Sequence, residues 1–136
     1  MNTDIKNIAA LVATAIWADG EYDEAERIAV EEIAEAFELD QAAFAAQIEE
    51  ELKAVEPMSE EEVNNYVVEQ ASKVAAEEKE MLLQAVLQVV IIDGYLGEDE
   101  VENVMSIAAA LDVNEARAIL MLADLVREEP ELEVEL

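Results

Sequence analysis

Ala18-Asp19-Gly20-Glu21-Tyr22-Asp23-Glu24-Ala25-Glu26 and Ile92-Asp93-Gly94-Tyr95-Leu96-Gly97-Glu98-Asp99-Glu100 decide how this chain folds. Both stretches follow an apolar run, turn at Asp-Gly, and place two glutamates at the same distance beyond the turn. Sliding the chain by the 74 residues that separate the two glycines aligns Val12/Val86, Asp19/Asp93, Gly20/Gly94, Glu24/Glu98, Glu26/Glu100, Val30/Val104, Ile33/Ile107, Ala34/Ala108 and Ala36/Ala110 without a gap. Phe37/Leu111, Leu39/Val113 and Asp40/Asn114 agree in character. The repeating unit is therefore helix, Asp-Gly turn, helix, corner, helix.

Working outward, the apolar spacing is helical nearly everywhere. Ile5, Ile8, Leu11, Val12, Ala15 and Ile16 share a face of a first helix, and Ala25, Ile28, Ala29, Ile33, Ala36 and Phe37 a face of a second. Asp40 is an N-cap for a third helix carrying Phe44, Ile48, Leu52 and Val55, which Pro57 ends. Ser59-Glu60-Glu61-Glu62 is a capping box opening a fourth, with Val63, Tyr66, Val67, Ala71 and Val74 inward. A fifth runs from about Glu78 to Ile92. A sixth follows Gly97, with Val101, Val104, Met105, Ala108 and Leu111 inward. Asn114 caps a seventh with Ala118, Ile119, Leu122 and Val126. Met81, Met105 and Met121 read as core filler, and Trp17, Tyr22, Phe37, Phe44 and Tyr95 as core and corner packing. A single unit cannot cover its own apolar stripe, so two should pack face to face. The expected fold is an all-α, single-domain bundle of about seven helices. It is built from two pseudo-twofold-related helix–turn–helix repeats, about 5–56 and 78–127, joined by a bridging helix at about 60–74. The acidic tail, 128–136, has no helical period and is expected to fray.

Composition narrows the function. The chain has 136 residues, enough for one domain, and a net charge of −28 from 7 Lys+Arg and 35 Asp+Glu. Its 54% hydrophobic content excludes an acidic disordered segment. With no Cys and no His, disulfides, zinc sites of the Cys/His kind, thiol chemistry and imidazole triads are excluded. Three glycines leave no Gly-rich phosphate loop. Seven cations make a nucleic-acid partner untenable. A phosphate mimic would need a concentrated acidic array, whereas these acids are spread along the chain. The apolar runs Ile8–Ala18 and Met81–Ile92 are too short to span a bilayer, and the N-terminus has no basic leader, so a soluble cytoplasmic protein is expected.

The turns are the candidate site. An EF-hand register would put Asp93, Gly94 and Glu100 at loop positions five, six and twelve. Positions one and three would then be Val89 and Ile91, or Ala15 and Trp17 in the first copy, where calcium loops need oxygen ligands. That register is rejected. If the halves meet about a twofold axis, Asp19 and Glu26 face Asp93 and Glu100. Four carboxylates at one place need protons or a cation, and an all-oxygen set suits Ca²⁺, Mg²⁺ or Mn²⁺. Glu21 and Asp23 are the next candidates. The competing reading is capping: Asp23 and Gly97 are N-caps, with Glu26 and Glu100 three residues on in the box position. Capping accounts for both glutamates but not for the recurrence of both aspartates.

The apolar helix ending in Ala-Asp-Gly, the Glu seven residues after the Asp, and the next helix closing on Leu-Asp, doubled in a small helical chain, resemble the TerB-like family. That family includes the tellurite-resistance protein TerB and the N-terminal region of DjlA-type membrane co-chaperones. The resemblance covers roughly Ile5 to Val126; Ile92 and Gly97 depart from its pattern. It implies a helical bundle of two halves and a role in tellurite or other chemical stress; a non-enzymatic protein is expected, because carboxylate pairs alone say little in a chain with 35 acids. It also implies protein partners, membrane-associated ones among them, and divalent-cation binding at the positions matching Asp19, Glu26, Asp93 and Glu100. Without a cation site the same chain would be an acidic protein-interaction module.

Overall fold

The computed structural model describes residues 4–19, 24–92 and 94–135. Seven α-helices occupy these residues: α1 (Ile5–Asp19), α2 (Glu24–Ala36), α3 (Gln41–Val55), α4 (Glu60–Ala71), α5 (Lys79–Ile91), α6 (Glu98–Ala110) and α7 (Glu115–Glu128). A 3-10 turn at Ala76–Glu78 leads into α5. The expected all-α bundle is what forms.

Helices α1 and α5 are the centre because each carries a long uncharged, largely apolar run. Between Lys6 and Asp19, and between Glu80 and Asp93, neither carries a charge. Ile8, Ala9, Leu11, Val12 and Ala13 are inaccessible to solvent, as are Leu82, Leu83 and Val86. With so wide an apolar surface, such helices must be covered by neighbours on most sides; in the uncharged run of α5 Met81 and Gln84 stay exposed. Helix α1 packs on α3, α4, α5 and α6, and α2 spans α3 and α5. Four of the polar residues that enter this core, Asn7, Thr14, Glu51 and Gln70, are hydrogen-bonded. Asn7 Nδ2 donates to Gln70 Oε1 on α4 at 2.7 Å, and Thr14 Oγ1 donates to the Ala10 carbonyl at 2.8 Å. Glu51, buried on α3, accepts from Tyr66 of α4 and from Gln47 Nε2 at 3.1 Å, with Lys6 Nζ at 4.0 Å.

The corners that follow α2 and α6, 74 residues apart, are alike. Both α2 and α6 end in a Schellman motif: Leu39 N–H donates to the Ala34 carbonyl at 2.7 Å, and Val113 N–H to that of Ala108 at 2.9 Å. The left-handed residue is Glu38 (φ 57°) in one and Asp112 (φ 61°) in the other. Asp40 and Asn114 then cap α3 and α7 through their side chains, accepting from the amides of Ala43 and Ala116. The Ser59–Glu62 capping box forms in both directions, at 3.2 and 3.4 Å.

Several inward faces differ from those expected. In α2 the buried set is Glu26, Ala29, Val30, Ile33 and Ala34, with Phe37 just beyond the helix; Ile28 is 47% exposed and Ala36 is exposed. The helix is rotated toward Val30 and Ala34 because its core side faces α3 as well as α5. In α3 Glu51 is buried in addition to Phe44, Ile48 and Val55, and Leu52 is half-buried. Tyr66, Val101 and Met105 are half-buried, while Gln70 and Ile107 go in. In α7 only Ala118 and Leu125 are buried, and Ile119 is 48% exposed. Met81 is exposed rather than core. The tail is not frayed throughout: Glu133–Glu135 forms a strand, β2, parallel to β1 (Tyr95–Gly97), with Tyr95 opposite Glu133 and Leu96 opposite Val134.

Candidate cation site at the Asp-Gly turns

Of the six candidate ligands, Glu26 and Glu100 are described with their side chains. Asp19 is the last residue of α1, and its side chain, like Glu21, Asp23 and Asp93, lies outside the described residues. Capping by Asp23 and the conformation of Gly20 lie outside them too. In the second copy Gly94 takes the left-handed conformation the sequence requires, φ +81°, and its amide donates to the Ile91 carbonyl at 2.9 Å.

Glu26 sits in the first turn of α2 and is only 1% exposed. Glu100 is the third residue of α6; its Oε1 accepts the Gly97 N–H at 3.1 Å, and its Oε2 is shielded from solvent. This is half of a capping box, since glycine has no side chain to return the bond. The two glutamates therefore hold equivalent places, each beside the positive end of a helix dipole, with carboxylate oxygens withdrawn from water. Among the described residues no three acids are grouped so as to hold a metal ion, a finding that reaches only Glu26 and Glu100 of the six. Val89 and Ile91 are buried apolar side chains, as the rejection of the EF-hand register requires.

Sequence reasoning missed the acids that the tail delivers to the second turn. Glu133 N–H donates to the Gly94 carbonyl at 2.9 Å. A cavity of about 270 Å³ beside the turn is lined by Gly94, Glu129 and Glu131 together with Gln88, Ile91, Ile92 and Leu132. The only local signal was the alternating Glu131-Leu132-Glu133-Val134-Glu135, a strand pattern too short to stand alone.

The fold and the sequence define a class: a small helical bundle whose two central helices are each followed in sequence by an acidic Asp-Gly pair. The family described as tellurite resistance protein TerB matches residues 6–123, most of the chain, and the protein belongs to that family. No curated protein and no solved structure matches it. No described helix is long and apolar enough to cross a membrane.

Proposed function

We propose that this TerB-family chain is a non-enzymatic cytoplasmic protein that binds a divalent cation at its Asp-Gly turns and acts with partner proteins in the response to tellurite or related chemical stress. Asp19, Glu26, Asp93 and Glu100 supply the leading ligands, with Glu21 and Asp23 beside them. A pseudo-twofold relation between the halves would bring the two turns together, and Ca²⁺, Mg²⁺ or Mn²⁺ fits an all-oxygen set. The observation that carries the reading is the burial of Glu26. A carboxylate withdrawn from water is retained where compensating charge or hydrogen bonds meet it, and this one follows an acidic turn that recurs 74 residues on.

The test is a titration with each cation, followed by Trp17 fluorescence and by melting temperature in 0.15 M KCl, on the parent and on Asp19→Asn/Asp93→Asn. A site raises the melting temperature by mass action, and the Asn pair removes the gain. Diffuse attraction to the −28 surface is screened beyond ~8 Å and survives the substitutions. An equal gain in both proteins would favour the second reading, an acidic interaction module whose glutamates are caps. The Gly97–Glu100 hydrogen bond supports that alternative.

A further inference from the structure

We propose that the groove between α2 and α5 docks a basic amphipathic helix of a partner protein. The groove has a volume of about 350 Å³, and its floor and walls are Ala29, Ile33, Ala36 and Phe37 from α2 with Met81 and Ala85 from α5. It exists because small residues face each other: alanines at 29, 36 and 85 leave a trough where larger side chains would close it. Along α2 it runs from Ala29 to Phe37, about 12 Å at 1.5 Å per residue, and along α5 from Met81 to Gln88, about 10 Å. Those are the dimensions over which a helix presents anchors at i, i+3, i+4 and i+7. Met81, 38% exposed, is the adaptable apolar side chain such surfaces use.

The charge around the trough selects the occupant. Its polar lining is Glu32, Gln84 and Gln88, with no lysine or arginine. Glu35, exposed on α2, stands three residues from Glu32 at the solvent edge of the trough. A second copy would bring another −28 to the same place, and an anionic lipid surface would be repelled likewise. A helix with lysines or arginines flanking an apolar stripe meets both parts of the surface. None of the lining residues belongs to the Asp-Gly turns, so this inference stands apart from the cation reading.

The probe is a helical peptide of about fourteen leucines and lysines with leucines at i, i+3, i+4 and i+7, titrated calorimetrically in 0.15 M KCl. A leucine–glutamate peptide of the same pattern serves as its counterpart. The lysine peptide should saturate at one per chain and the glutamate peptide should not bind. Ala36→Trp, on an exposed position, fills the trough and should weaken binding about tenfold or more, the scale of losing one buried apolar anchor. Glu32→Gln/Glu35→Gln should weaken it without altering the fold by circular dichroism. Ala109→Trp, exposed in a separate groove between α4 and α6, should leave it unchanged. The proposal is overturned if the peptide fails to saturate, if Ala36→Trp binds as the parent does, or if Ala109→Trp is the variant that loses affinity.

Discussion

Helix α3 buries Phe44, Ile48, Glu51 and Val55 against α1 and α2. The same places 74 residues later are Ala118, Leu122 and Leu125 on α7 and Glu129 just beyond it; only Ala118 and Leu125 are buried, and α7 packs mainly on α6. The two helices begin alike, behind a Schellman corner and a side-chain N-cap, and then part. Local chemistry thus sets where each helix starts, while the size of the side chains on one stripe sets how firmly it is held. With Phe replaced by Ala and Val by Glu, α7 has less to bury. Ile119 and Leu120 stay 48% and 58% exposed on its outer side. Both helices lie against one core that draws on α1 to α7, but α3 contributes four buried side chains to it and α7 only two.

The comparison breaks most directly at Phe44. Truncating this inaccessible side chain in Phe44→Ala should cost about 3–5 kcal/mol, and Leu125→Ala about 2 kcal/mol at the low end for a leucine with a relaxable neighbourhood. Urea denaturation of both variants gives the difference. Equal losses would mean that α7 is held as tightly as α3 and that its exposed outer residues mislead.

How much of this was legible follows the same division. The uncharged runs of α1 and α5 announce central helices, and Asp40, Ser59 and Asn114 announce their caps, because periodicity and capping are local. The left-handed Glu38 and Asp112 carry no such signal, since neither is glycine and the corner is imposed by the helix it ends. The α2 face was misjudged at Ile28 and Glu26: hydrophobicity alone assigns the isoleucine inward, but the packing of α2 across two neighbours rotates it out. Strand β2 depends on pairing with a segment some forty residues earlier, which no local pattern specifies. At the turns, the sequence marks recurring acids, and the structure describes the side chains of Glu26 and Glu100 alone among them.

A second, smaller effect separates the halves through Glu51, whose counterpart on α7 is Leu125. Burial, the hydrogen bond to Glu51 and the nearby charges of Glu51 and Glu69 all raise the ionisation of the Tyr66 hydroxyl above its ordinary value. A tyrosine whose folded pKa lies above its unfolded value of about 10 adds stability that is present below that pH and lost as pH rises beyond it. Stability should therefore fall above about pH 10, and Tyr66→Phe should flatten that fall. At neutral pH the same variant should cost about 1.5–3 kcal/mol, the range for a hydrogen bond to a charged group. Denaturation at pH 7 and at alkaline pH measures both. An unchanged alkaline slope would show that Tyr66 is not the group responsible.

The smallest effect tests whether the halves are tied in the same way. At the 74-residue offset Lys6 corresponds to Glu80, so the charge at the head of the first helix in each half is reversed. In the first half Lys6 of α1 approaches Glu51 of α3 at 4.0 Å; in the second Glu80 of α5 accepts from Arg117 Nε of α7 at 2.8 Å. Both join the first helix of a half to the third, with opposite polarity. The second pair is about half exposed on each side, and exposed pairs are worth about 0.2–1 kcal/mol. Arg117→Ala should thus cost no more than that, less at high salt. The exchange Glu80→Arg/Arg117→Glu should recover most of the loss, because only the polarity of the pair is inverted. In the first half Glu51 is buried, so exchanging Lys6 and Glu51 should not recover, since a lysine would then have to be desolvated beside Tyr66. A double-mutant cycle on each pair measures the difference, and equal recovery in both halves would show that burial of Glu51 does not set the two ties apart.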